Sequence, residues 1–397
     1  MSGATELDVV VCGGGRTGHL NAVLFKQRPG VRVTLLTRSR EAIHHHRDGQ
    51  AITAHLPDGT QLTARLDAVT ADPAAALRDA DLVVITVPAH ARPALLTAIA
   101  PHLPATKPVH VGAIPGFCGF DWLAEKLLPD RPRAVIWGMK DVPHTAFDLQ
   151  PGVSVRSGGA KAALHVATHD RETAAARGAL QAMLRRLFDA PVALLRHYLE
   201  ITLTPGNPIM HSAVIYGLIG PYGPHHGRPL PAPLDWWTEC NELGAYFIER
   251  CDEENQRLCR AAEAQLGIDL SSVKPLKQEI VEAYGDQIAD PRTMASVLRS
   301  NRAYAGIPAP LVRDAQGEGW RLDVKSRAFE EDVAFGLSTL VQLGRRLAVP
   351  LPHIEEINGW CAAHMGGLRR TAADYFPASF PAACPVAQPA QPTEDTP

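Results

Sequence analysis

Residues 9–18 read VVVCGGGRTG, and few short stretches limit a fold as strongly. A β-branched run, Val9 to Val11, stops at Gly13-Gly14-Gly15-Arg16-Thr17-Gly18. An amphipathic segment follows, and then a second strand-like run over residues 31–37. Strand, glycine turn, helix and strand open a dinucleotide-binding α/β fold, and G-x-G-x-x-G puts Gly13, Gly15 and Gly18 at its key places. The first glycine allows the tight turn, the second lets the backbone approach a pyrophosphate, and the third lets the helix pack close to the strand. The helix N-terminus, with Arg16 and Thr17 in its first turn, then offers free N–H groups and partial positive charge to the phosphates.

The alternation continues. Apolar runs over residues 82–87 and 109–114 read as buried strands, ending at Pro88 and at Pro115-Gly116. Further strands are expected over residues 133–136 and 153–157, and a helix over residues 173–188. Loops after such strands lie at the carboxyl edge of the sheet, so Val87 and Pro88 are expected beside the nicotinamide. This predicts a Rossmann-type, doubly wound α/β domain over residues 1–193. At the end of the second strand the chain reads LLTRSR, with no acid to hold a ribose 2′-hydroxyl. Arg38 and Arg40 flank Ser39, and a guanidinium suits a 2′-phosphate, so NADP(H) is favoured. An Arg38 that merely stacks on the adenine serves NAD(H) too, which stays the alternative. His44, His45 and His46 read as solvated residues of a polar loop, because three adjacent side chains cannot converge on one ion. No metal site is expected.

After about Leu194 the strand signal vanishes. Helical periodicity dominates over residues 234–266 and 327–347, where Ala328, Val333, Leu337, Leu340 and Val341 form an apolar stripe. An all-helical substrate and catalytic domain is expected over residues 194–384, and a disordered tail over residues 385–397, which are Pro-rich and polar. Chemistry beyond cofactor binding must come from this helical half. In TPGNPIMHSAVIYGL, two prolines precede a histidine that stands at the mouth of an apolar segment. Asn207 and His211 are four residues apart and share one face if the helix runs through both. In SRAFEED, the helix dipole accounts for Glu330 and Glu331 but less well for Asp332, which directly precedes Val333-Ala334-Phe335.

Composition sets outer limits. With 39 basic and 42 acidic residues the formal net charge is -3, so no basic stripe points to nucleic acid. No apolar run approaches the ~20 residues of a membrane helix. The first residues leave no room for a signal peptide, and the seven cysteines are scattered without a C-x-x-C pair. Reduced thiols and a cytoplasmic location are therefore expected.

The ordered blocks CGGGRTGH, VVITVPAHA, NPIMHSAVIYG, SNRAYAG and SRAFEEDVAFG resemble the octopine/nopaline (opine) dehydrogenase family over nearly the whole chain up to about Phe380. The resemblance implies reductive condensation of an amino acid, or another amine, with an α-keto acid such as pyruvate or 2-oxoglutarate. A nicotinamide cofactor would supply the hydride. It places the catalytic histidine on His211, its acidic partner on Asp332 and the arginine for a substrate carboxylate on Arg327. Asn207 is expected to bond substrate or backbone. The arginine-specific member of the family differs at the positions of Phe117, Asp141 and Glu279. Arginine specificity is therefore not implied, and Asp141 with Glu279 would suit a cationic amine or else be surface acids. Two other readings share the two-domain plan: a 2- or 3-hydroxyacid dehydrogenase acting on the keto acid alone, and a non-catalytic NADP(H)-binding regulator. Oligomeric state stays open, with the homodimer common among soluble dehydrogenases.

Overall fold

The computed structural model describes residues 6–129, 133–315, 317 and 319–381; the expected tail lies outside the described residues. The strand Leu7–Cys12 pairs in parallel with both Val31–Leu36 and Leu82–Ile85. Eight strands make the main sheet, in the order Val192–Leu194, Leu164–Thr168, Ala134–Met139, Val109–Ala113, Leu82–Ile85, Leu7–Cys12, Val31–Leu36 and Ala68–Thr70. Only the pairing of Leu164–Thr168 with Ala134–Met139 is antiparallel. Both faces of this sheet are covered. Val10, Val83 and Val111 enter one buried cluster, and Val9, Val11 and Val84 another. Double coverage is why these strands read as continuous apolar runs rather than alternating ones.

Residues 153–157 do form a strand, Ser154–Ala160, but not in the main sheet. It pairs with His144–Gln150 and Ile52–His55 in a separate four-stranded sheet completed by Gln61–Ala64. The three histidines lie on a helix and not in a loop, although His44 is exposed as expected. Ser39 caps a helix, Arg40–Arg47, by accepting the Ala42 N–H at 3.2 Å. His44 pairs with Asp48 at 3.3 Å, while His45 binds the Pro151 carbonyl at 3.1 Å. A local cap, not the run of polar residues, decided that segment.

The second half is mainly helical, around one apolar core, with a two-stranded exception, Leu311–Arg313 against Trp320–Leu322. The helical periodicity expected over residues 234–266 yields a helix only from Glu242 to Leu266, because Asn241 accepts the Gly244 N–H at 2.8 Å and caps it there. The helix Gly206–Ile219 begins ahead of Pro208, which sits in its first turn. It packs tightly on its neighbours: a Cβ on Gly217 would stand 2.3 Å from the Gly244 nitrogen, and one on Gly336 would stand 2.4 Å from Pro208 Cγ. The segment Ala328–Leu337 is π-helical and passes into an α-helix, Ser338–Arg346. Among the described residues no helix is long and apolar enough to cross a membrane.

Candidate active site

The glycine turn is a cradle with one open place. A Cβ on Gly13 would lie 2.5 Å from Thr86 Oγ1, on Gly14 2.0 Å from Thr37 Oγ1, and on Gly18 1.9 Å from the Gly13 carbonyl oxygen. On Gly15 it would meet nothing within 4 Å among the described residues. Three glycines thus serve internal packing, while Gly15 faces free space on the side that the motif assigns to a pyrophosphate. Among the described residues no side chain caps the helix Arg16–Lys26, so its first-turn N–H groups are available to an anion. Arg16 is exposed at that end and Thr17 half-buried. Arg38 and Arg40 are exposed, without an ion-pair partner among the described residues. Thr86, Val87 and Pro88 leave the strand Leu82–Ile85 at the carboxyl edge, and Thr86 Oγ1 donates to the Cys12 carbonyl at 3.3 Å.

The helical domain brings His211 and Asp332 together. His211 Nδ1 donates to Asp332 Oδ2 at 2.7 Å. The carboxylate can only accept, so the proton sits on Nδ1 and Nε2 is left for other chemistry. The imidazole stacks on Trp236, with ring centroids 4.3 Å apart, and Trp237 lies beside both, 5.3 Å from the imidazole. Asp332 is buried, and burial raises its carboxyl above the usual carboxylate range, against the opposing charge of His211. The contact of Gly336 with Pro208 is what lets the two helices approach so closely.

Arg327 and Asp332 are five residues apart, which an α-helix would turn away from each other. The i→i+5 bonding of a π-turn brings such residues back toward one side. Arg327 Nε donates to Glu331, and no partner for its two terminal nitrogens is found among the described residues. That leaves the planar fork for an anion. Burial works against the charge of Arg327, but Glu331, with smaller contributions from Asp332 and Cys118, raises its pKa overall.

Glu331 is the residue that sequence reasoning missed. The dipole explanation offered for it does not hold, because it is completely buried and joins the two domains. Its Oε1 accepts the Ala89 N–H at 2.8 Å and lies 3.9 Å from the Arg92 guanidinium. Arg92, itself buried, donates to the carbonyls of Phe117 at 2.7 Å and Pro115 at 2.8 Å. One carboxylate therefore ties the loop after Val87-Pro88 to the turn carrying Asp332. The only trace in the sequence was an acid amid apolar residues. Glu330, by contrast, is half-exposed, 3.7 Å from His90.

The helix Gly206–Ile219 runs through both Asn207 and His211, so the two share one face as their spacing predicts. Asn207 is exposed in the first turn of its helix. Asp141 is exposed and lies 3.9 Å from Lys161, and Glu279 is paired with Lys140 across the domains. Each acid thus already has a lysine beside it, closely for Glu279 and loosely, at the surface, for Asp141.

A nucleotide-binding α/β domain joined to a helical domain that presents an imidazole–carboxylate pair defines an NAD(P)-dependent oxidoreductase. Residues 194–365 match the alpha-helical domain of NAD/NADP octopine/nopaline dehydrogenase, and residues 9–111 match ketopantoate reductase PanE/ApbA. The uncharacterized protein y4xO of Sinorhizobium fredii is 56% identical over 381 residues, covering 95% of this chain and 100% of its own. Octopine dehydrogenase of Mizuhopecten yessoensis is 28% identical over 371 residues, covering 91% of this chain and 90% of its own. A solved octopine dehydrogenase in complex with NADH and agmatine superposes with a TM-score of 0.78 at 24% identity, covering 91% and 90% of the two chains. The chain belongs to the octopine/nopaline (opine) dehydrogenase family, whose members act on CH–NH groups with a nicotinamide cofactor and small-molecule substrates.

Proposed function

We propose that this chain joins the amino group of an amino acid, or another amine, to an α-keto acid such as pyruvate or 2-oxoglutarate. The His211–Asp332 bond carries this reading. Condensation of amine and keto acid forms an imine and releases water. His211 Nε2 donates the proton that the departing oxygen needs. Asp332 holds the ring by Nδ1–H, so that Nε2 keeps its aim and the positive charge is matched. When bound, the nicotinamide supplies the hydride that reduces the imine carbon. The product is a secondary amine bearing two carboxylate arms. Arg327, with its fork free, binds one carboxylate in a geometry that an ammonium cannot copy. The lysine partners of Asp141 and Glu279 favour an amine without a second positive charge.

The test is a matrix of amines against keto acids, read by NADPH absorbance with mass spectrometry of the products. Consumption of NADPH that needs both partners supports the reading. Consumption with the keto acid alone replaces it with a hydroxyacid dehydrogenase.

NADP(H) is the proposed cofactor, supported by Arg38 and Arg40 at the end of the second strand, exposed and without an ion-pair partner among the described residues, and by the lack of an acid in LLTRSR. Arg38→Ala is expected to weaken NADPH binding by about tenfold or more and NADH binding far less. Titration of both cofactors by fluorescence checks this, and equal losses would move the preference to NAD(H).

A further inference from the structure

The small four-stranded sheet has no part in the proposed chemistry, yet its tip is built into the cofactor turn. In the hairpin between His144–Gln150 and Ser154–Ala160, Pro151 and Gly152 are gripped by histidines from two helices. The Gly152 N–H lies 3.0 Å from His19 Nε2. A backbone N–H can only donate, so Nε2 carries the lone pair and the proton is on Nδ1. Nδ1–H then donates to the Gly15 carbonyl at 3.1 Å, the same oxygen that accepts the His19 backbone N–H at 3.0 Å. The imidazole is completely buried, and burial lowers its pKa, in keeping with a neutral ring.

On the other side of the turn, His45 Nδ1–H donates to the Pro151 carbonyl at 3.1 Å. Gly152 has φ +77°, and a Cβ there would stand 2.7 Å from the Ala42 Cα, so the turn seats directly on the helix Arg40–Arg47. A line of contacts thus runs from Gly15, through His19 and the turn, to the helix that starts at Arg40.

We propose that His19 is a positioning residue for the nicotinamide dinucleotide. In a trans peptide unit the C=O and the N–H point in opposite directions. Holding the Gly15 carbonyl inward therefore aims the Arg16 N–H outward, into the space that Gly15 leaves open. The His19 backbone N–H already holds that carbonyl; the imidazole adds a second donor and ties the same peptide to the Gly152 turn, and any freedom still lost on binding costs affinity. The same bridge sets the spacing between the pyrophosphate end of the site and the Arg38–Arg40 end. The proposal rests on a dinucleotide occupying the glycine turn, which titration of the unaltered chain tests by itself.

The experiment is fluorescence titration of NADPH and NADH into the unaltered chain and into His19→Leu, His19→Gln and His45→Ala, with thermal melts to confirm folding. His19→Leu leaves the Gly152 N–H without an acceptor and is expected to weaken both cofactors about tenfold or more, with turnover at saturating cofactor held within about threefold. In His19→Gln an amide oxygen can accept that N–H, so affinity returns to within about threefold. His45→Ala, at the outer end of the bridge, is expected to cost about threefold. Unchanged affinity in His19→Leu, or an equal loss in His19→Gln, overturns the proposal. If the leucine variant does not fold, His45→Ala decides, and unchanged affinity there overturns it.

Discussion

His211→Ala is expected to lower turnover by about 10²-fold or more while cofactor affinity stays within about twofold of the unaltered chain. The glycine turn and the Arg38 region, which hold the cofactor in this reading, lie in the other domain, so removing an imidazole from the helix Gly206–Ile219 leaves them intact. Asp332→Asn is expected to slow turnover comparably, since its amide can present an N–H to Nδ1 and favour the wrong tautomer. Stability should behave differently. Burial penalises the charged carboxyl of Asp332, so a neutral isostere is expected to keep or raise the thermal midpoint at neutral pH. Because the two residues act as one unit, the double variant should be no slower than the slower single one. Steady-state kinetics with a cofactor titration check all of this. Near-normal turnover in His211→Ala would make the histidine a packing residue of the tryptophan wall.

The second large effect is expected at Glu331. Glu331→Ala removes the acceptor of the Ala89 N–H and strips two guanidinium groups, Arg92 and Arg327, of their shared counter-charge. Breaking a buried ion pair from one side costs about 3–5 kcal/mol, here because Arg92 stays buried and unmatched, whereas the half-exposed Arg327 can be rehydrated. Chemical denaturation should show a loss of that order. Glu331→Gln keeps an acceptor for Ala89 but loses the charge, and kcat/KM is expected to fall by about tenfold or more as Arg327 loses its fixed orientation. Its neighbour is the control. Glu330 is half-exposed, and Glu330→Gln should stay within about 0.5 kcal/mol of the unaltered stability. Equal effects at the two positions would mean that Glu331 does not couple the domains.

Much of the first domain is legible in the sequence. The glycine turn and the buried strands depend on local backbone freedom and on apolar runs, both of which a linear reading detects. Element boundaries are less so. Residues 234–241 keep the helical pattern of the segment behind them, yet the Asn241 cap releases them, and that release puts Trp236 and Trp237 against His211. The π-helix is hard to see in the sequence, because Val333, Leu337, Leu340 and Val341 by themselves fit an α-helical stripe and only the five-residue step from Ala328 to Val333 departs from it. Arg327 can therefore not be placed relative to Asp332 by counting residues.

Chemical capacity is thus written along the chain: which residues can titrate, where a phosphate can be approached, and which half builds a helical core. Those properties belong to side chains and short segments. Which groups meet does not belong to any segment. His211 and Asp332 are 121 positions apart and bond because Gly336 admits Pro208. Glu331 becomes a link between domains only once Ala89 and Arg92 are packed against it. Burial and proximity are properties of the folded chain as a whole, and they turn an acid of a surface-looking cluster into an anchor.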